Sequence, residues 1–195
     1  MTTIPAEAGK SSFGLIDKEG FFAALPLESV RRVLDLGCGV GNYTLPLAER
    51  LGPGATVHGV DLWSDGVNQL LQTAREKGLE NVTAESADLA RMESTRDAEA
   101  DLALLATVLH DQVERGVASA ALREAARVVR RNGWLAVVEF KKIDTKPGPP
   151  LAIRLSAEDL AALVGPYGFV QPRVVDLGPN LYLALFQHAA SVSHA

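Results

Sequence analysis

Five short apolar runs, RVLDL (32–36), TVHGV (56–60), NVTAES (81–86), DLALLA (101–106) and WLAVVEF (134–140), are separated by longer stretches of helical periodicity. This alternation is the pattern of βα units wound around a mostly parallel sheet. The helical stretches fall at about 42–51, 64–77, 115–130 and 156–165. The last opens with SAED, in which Ser156 and Asp159 have the spacing of a capping box. Two further runs, FVQPRVVDL (169–177) and NLYLALFQ (180–187), are joined only by the turn-forming LGPN (177–180). A parallel pair needs a crossover of roughly a dozen residues, so these two are expected to pair antiparallel. The predicted architecture is an α/β, doubly wound, seven-stranded sheet, mostly parallel, with an antiparallel strand in its C-terminal hairpin. In such a sheet a ligand crevice opens where the winding reverses, outside the carboxyl ends of strands 1 and 4.

Composition agrees with one compact domain, expected over residues 13–188 with 1–12 and 189–195 as flexible termini. Of 195 residues, 47% are hydrophobic, enough for a sizeable core. The apolar run LALLATVL (102–109) is far shorter than the roughly 18 residues that a membrane span needs. The opening MTTIPAEAGKSS lacks the apolar centre of a secretory signal, so a cytoplasmic location is expected. Cys38 is the single cysteine, which leaves no internal disulfide and no cysteine-rich zinc site. The histidines, His58, His110, His188 and His194, show no metal-ligand spacing, and no metal is expected. A net charge of −5 weighs against a nucleic-acid partner, which needs a basic surface. Arg123, Arg127, Arg130 and Arg131 form a local exception at a predicted helix end, where cations favour the helix dipole.

The turn after the first strand reads D-L-G-C-G-V-G-N, with Gly37, Gly39 and Gly41 alternating and Asn42 following. A dinucleotide fingerprint is G-x-G-x-x-G, with its third glycine where Asn42 stands, and the G-K-[ST] ending of a P-loop is absent. A tight turn that binds nothing is the plain alternative. Three alternating glycines behind an acid, Asp35, at the carboxyl end of a first strand instead favour a ligand without phosphates.

VLDLGCGVGNYTLPLA resembles the first motif of class I S-adenosylmethionine-dependent methyltransferases, of the type 11/25-like kind with small-molecule acceptors, and the likeness runs roughly over residues 13–187. The resemblance implies a Rossmann-like fold and S-adenosyl-L-methionine as cofactor, with S-adenosyl-L-homocysteine as product. It places Asp35, Gly37, Gly39, Gly41 and Asn42 beneath the methionine part. Asp61, ending the second strand, can accept two hydrogen bonds from a ribose diol, although NAD enzymes also carry an acid here and a helix cap is the simpler role. Leu62 and Trp63 would offer apolar surface to the adenine. Ala87, Asp88 and Leu89 after the third strand correspond to the adenine-contacting segment, with a capping aspartate as the alternative for Asp88.

The fourth strand ends in LLATVLHDQ (104–112), which lacks the N-P-P-Y type of tetrapeptide carried by nucleic-acid amino methyltransferases and is closer to the L-H-H or F-H-E stretch of small-molecule enzymes. Ala106 and Thr107 are expected by the cofactor. His110 and Asp111 are the candidate bases, with a purely structural histidine as the alternative. The stretch FKKIDTKPGPP (140–150) reads either as a stiff cover for the site or as a connector, and Arg154 either meets an anionic acceptor or sits in solvent. The expected activity is methyl transfer to a small-molecule acceptor. The rivals are a non-catalytic S-adenosylmethionine-binding module and an NAD-dependent oxidoreductase. Oligomeric state is not legible.

Overall fold

The computed structural model describes residues 9–190. Its sheet has seven strands: β1 (Arg32–Leu36), β2 (Thr56–Asp61), β3 (Val82–Ser86), β4 (Ala100–Ala106), β5 (Val129–Phe140), β6 (Phe169–Asp176) and β7 (Leu181–His188). Six helices accompany them: α1 (Lys18–Ala24), α2 (Thr44–Leu51), α3 (Ser64–Glu76), α4 (Leu109–Glu114), α5 (Ala118–Val128) and α6 (Ala157–Val164). The strand order is β3-β2-β1-β4-β5-β7-β6. Strands 1 to 5 are mutually parallel, and β7 runs antiparallel between β5 and β6. The hairpin is therefore inserted with its second strand inward. That leaves β6 at the edge, where Pro172 costs no ladder bond and the register shifts between Val170 and Arg173.

The alternation of side chains along each strand divides the core in two. One face buries Val33, Val57, Leu102, Leu104 and Val138 against Phe21, Leu47 and Leu70 of α1, α2 and α3. The other buries Leu34, Leu36, Ala103, Leu105 and Val137 against Leu122, Val128 and Leu160 of α5 and α6. Both faces of the parallel part are covered, which is why its strands read as nearly continuous apolar runs.

Two elements differ from expectation. The helix predicted over 115–130 is the shorter α5, which starts beyond Gly116, whose φ of +70° no regular helix accommodates, and α4 lies before the predicted span. Strand 5 begins at Val129 rather than 134, directly after α5, with Ala100 opposite Val129 before a register shift. The capping box of α6 forms as its spacing predicts: Ser156 Oγ accepts from Asp159 N and the Asp159 carboxylate accepts from Ser156 N. Among the described residues no helix is long and apolar enough to cross a membrane.

Candidate functional site

β1 lies between β2 and β4, so the winding reverses at its carboxyl end and the glycine turn emerges there. Gly37 N and Cys38 N both donate to Val60 O, at 2.7 and 3.2 Å, which binds the turn to the end of β2. The three glycines do different work. A Cβ on Gly37 would lie 2.5 Å from Val108 Cγ2, and one on Gly41 2.3 Å from Leu70 Cδ1; both residues have φ near +90°. Gly39, at φ +51°, has nothing within 4 Å of that position. Its neighbours are packed and it faces open space. Cys38 is buried, and burial pushes its thiol well up, so it is an inert part of the turn.

Asp61 joins two loops. Its Oδ2 accepts from Gly39 N and its Oδ1 from Trp63 N, each at 2.8 Å. It thereby fixes both the turn and the entry to α3, and each oxygen keeps a second lone pair. Leu62 beside it is 52% exposed. The Trp63 ring lies over Gly66, and its buried indole N–H has no hydrogen-bond partner among the described residues. Ala87 N donates to Asp61 O at 3.0 Å, which brings the end of β3 against the end of β2. Asp88 is exposed and its Oδ1 accepts from Ala90 N at 2.9 Å, so part of its carboxylate serves its own turn, while Leu89 is buried in the core beside Met92.

Asp35 is buried, and Thr44 Oγ1 donates to its Oδ2 at 2.6 Å. Burial pushes its carboxyl up to about 7; the Thr44 hydrogen bond opposes the rise and the Asp61 charge adds to it. The folded pKa lies above the unfolded one, so the native state holds a proton that the unfolded chain releases. Stability therefore declines as pH rises from about 4 to about 7 and is level above that. Asp35→Asn is expected to raise the melting temperature of the ligand-free protein at pH 8 by at least about 2–4 °C, the shift for about 1 kcal/mol in a chain of this size. The gain should vanish near pH 4; an equal gain at both pH values in a thermal-melt series would refute the buried-charge cost.

A small cavity of about 40 Å³ beside the turn is lined by Asp35, Gly37, Gly39, Asn42, Tyr43, Ala106, Thr107 and residues 9–12. The last four were assigned to a flexible terminus, whereas Ser12 is buried and its hydroxyl shares hydrogen bonds with Tyr43 at 2.9 Å and Thr107 at 3.2 Å. Residues 1–8 and 191–195 of the expected termini lie outside the described residues. Thr107 has φ +54°, a strained conformation for a β-branched residue, held by its N–H donating to Val138 O at 2.8 Å. Neither Ser12 nor Tyr43 carried a sequence signal.

Beyond Thr107, α4 presents His110 and Asp111. His110 is buried: Nδ1 lies 2.7 Å from Glu139 Oε2, its backbone N donates to Glu139 Oε1 at 3.1 Å, and Nε2 is 3.4 Å from Asp111 Oδ1. Glu139, wholly buried at the end of β5, is the partner missed as a site residue; an acid inside the apolar run WLAVVEF was its signal. Arg154 does not sit in solvent but lines the groove described next. It is buried and donates to the carbonyls of Pro149, Lys141, Ile143 and Thr145, holding the segment after β5 in shape. An open groove of about 550 Å³ lies alongside, between α4, this segment and α6, with Val113, Lys142, Ile153 and Leu163 in its lining.

A model of the methyltransferase domain matches residues 27–163. The 23S rRNA (uracil(1939)-C(5))-methyltransferase RlmD of Methylococcus capsulatus is 44% identical over 71 residues, 36% of this chain and 15% of that protein. The aklanonic acid methyltransferase DauC of a Streptomyces species is 40% identical over 52 residues, 27% of this chain and 24% of that protein. The chain thus spans less than a quarter of either relative's length. A SAM-dependent methyltransferase from Aquifex aeolicus superposes with a TM-score of 0.82 at 24% identity, over 95% of this chain and 97% of that one. With the family match covering most of the chain and the sheet order in place, the chain belongs to the methyltransferase domain family and has the class I S-adenosylmethionine-dependent methyltransferase fold.

Proposed function

We propose that this chain transfers a methyl group from S-adenosylmethionine to a small-molecule acceptor by in-line displacement. The observation that carries the proposal is the pair of carboxylates at the glycine turn. Asp35 lines the cavity beside the turn and Asp61 accepts from Gly39 N within it. A pyrophosphate would keep Asp35 protonated whereas an ammonium would favour its ionised form, and Asp61 suits a ribose diol, so the pair fits the two polar ends of this cofactor. In this reading Asp35, Gly37, Gly39, Gly41 and Asn42 hold the methionine part, and Ala106 and Thr107 wall it. Asp61 holds the ribose, with Leu62, Ala87, Asp88 and Leu89 about the adenine.

When bound, S-adenosylmethionine supplies a methyl group on a sulfonium that is already a good leaving group. The protein's task is then alignment and exclusion of water. Residues 9–12 contribute to that exclusion by covering the cavity beside the turn. The groove of about 550 Å³ has the size of a small-molecule site, and its lining is apolar with a few charges. Of the four arginines of the local basic cluster, Arg127 is paired with Glu124 and Asp97 and Arg130 with Asp101, while Arg131 is bonded to His188 and Ala189 O. This favours the small acceptor over the ribosomal RNA named for one relative. A cytoplasmic site of action accords with a freely diffusing cofactor and acceptor.

A thermal-shift comparison of S-adenosylmethionine, S-adenosylhomocysteine and NAD tests the cofactor, because a ligand of the folded state raises its apparent stability. The two sulfur ligands are expected to stabilise and NAD to have no effect; stabilisation by NAD alone would overturn the proposal. In a subsequent acceptor screen, His110→Ala is expected to lower turnover by at least about tenfold, within the range of general base catalysis, with cofactor affinity unchanged. Full turnover in that variant would make His110 structural.

A further inference from the structure

We propose that Asp35 reads the cofactor's ammonium group by exchanging a proton for it: the ligand-free protein carries Asp35 as the neutral acid, and the arriving ammonium expels that proton to solvent. The preference for a nucleoside that bears the ammonium over one that lacks it therefore grows with pH. The inference rests on the cofactor reading above.

Asp35, near the end of β1, is 2% exposed. A carboxylate at that depth is costly unless a cation meets it. Among the described residues no cation pairs with Asp35, and Thr44 is the residue that bonds it, the hydroxyl donating to Oδ2 at 2.6 Å. The charge that acts on it has its own sign, that of Asp61 ending β2. Burial and that charge, against the Thr44 bonds, lift the Asp35 carboxyl to about 7.

Asp35 nonetheless lines the cavity of about 40 Å³ beside the turn, which has room for a group the size of an ammonium. An opposite charge within about 4–6 Å lowers a carboxyl by about one to three pH units, enough to ionise Asp35 near neutrality. Its O–H bond then breaks, the electron pair stays on the carboxylate as the acceptor for an ammonium N–H, and the proton leaves to solvent. One positive charge replaces another, so the buried site gains no net charge on binding. The carboxyl pKa is higher in the free protein than in the complex. Affinity therefore rises with pH between the two values and is level above about 7.

The other titratable groups around Asp35 are Asp61, Cys38 in the turn, Tyr43 before α2 and Lys10 in the segment lining the cavity. Burial pushes the Cys38 thiol and the Tyr43 phenol well up, so both stay neutral between pH 5 and pH 7. That range also lies below the one in which an α-amino group loses its own proton, about 7.7–8.0.

Calorimetric titration of the full chain with S-adenosylhomocysteine, in buffers of different ionisation enthalpy, counts the proton. At pH 6.5 about half a proton or more should be released per ligand, and affinity should be at least about fivefold higher at pH 7 than at pH 5. The aminopropyl thioether of adenosine, which keeps the ammonium without the carboxylate, should behave likewise. Methylthioadenosine, which lacks both, should release no proton and bind equally at the two pH values. Asp35→Asn should abolish the release and flatten the pH dependence, which assigns the proton among the neighbouring groups. Thr44→Val, which removes a bond to the ionised form, should move the midpoint of the affinity rise to higher pH. Binding of S-adenosylhomocysteine without proton release, an equal pH slope for methylthioadenosine, or release that persists in Asp35→Asn would overturn the coupling alone. Absence of binding by both S-adenosylhomocysteine and S-adenosylmethionine at every pH would overturn the cofactor reading and the coupling with it.

Discussion

Asp61→Ala is expected to weaken S-adenosylmethionine binding by at least about tenfold, equivalent to 1.4 kcal/mol, and to destabilise the ligand-free protein as well. The second effect follows from the hydrogen bonds that Asp61 accepts. The Asp61 carboxylate is the acceptor for Gly39 N in the glycine turn and Trp63 N before α3. Removing it leaves two backbone donors to find new partners, at about 1–3 kcal/mol for each that stays buried and unmet. The glycine turn would also lose the tie that sets its approach to the loop before α3. The affinity loss thus has two sources, a missing acceptor for the ribose and a displaced turn. Asp61→Asn separates them. Its single carbonyl oxygen can keep one of the two backbone bonds but brings an NH₂ group against the other donor, so it should recover part of the stability and little of the affinity. Calorimetric titration together with denaturant unfolding measures both quantities. Affinity within twofold of wild type in Asp61→Ala would remove Asp61 from the binding site and leave it as a loop tie.

The parts of this site that the sequence made legible are those carried by consecutive residues at strand ends. Asp35, the glycines and Asp61 each close an apolar run, and a strand end in a parallel sheet is where a crevice must lie, so pattern and chemistry coincide at the same positions. The parts it concealed are made between distant segments. Glu139 reaches His110 across 29 residues and Ser12 reaches Thr107 across 95; an acid or a serine alone does not announce its partner. Arg154 shows the same limit in another form. Its charge suggested solvent or an anion, yet its guanidinium is consumed by backbone carbonyls of the segment that follows β5. Carbonyl acceptors leave no trace in side-chain identity. The later start of α5 was available in Gly116, but the helical periodicity that follows it outweighed one residue.

The glycines of the turn yield the other large effect, which falls on stability at one position and on binding at another. Gly41→Ala is expected to cost about 2–5 kcal/mol, from a left-handed backbone that penalises a Cβ by about 1–2 kcal/mol and overpacking of about 1–3 kcal/mol. The new carbon would sit 2.3 Å from Leu70 Cδ1, with Leu70 Cγ and Leu45 Cγ at 3.2 and 3.3 Å. Leu70 is fully buried against the sheet, so the methyl has nowhere to move without disturbing the packing of α3. Such a loss is a large part of the about 5–15 kcal/mol that holds a domain folded. Gly39→Ala adds the same carbon where no atom lies within 4 Å, at φ +51°, which alanine can adopt for about 1–2 kcal/mol. It should therefore melt only a few degrees below wild type and yet bind S-adenosylmethionine at least about tenfold more weakly, because the open space beside Gly39 is the space assigned to the ligand. Denaturant unfolding and calorimetric titration of the two variants decide the matter. If Gly39→Ala binds as wild type does, the middle glycine serves only the turn. If Gly41→Ala loses less than Gly39→Ala in stability, Leu70 yields where the packing says it cannot. The alternation of glycines would then owe nothing to a division between the outer two, which let the turn pack, and the middle one, which lets a ligand approach.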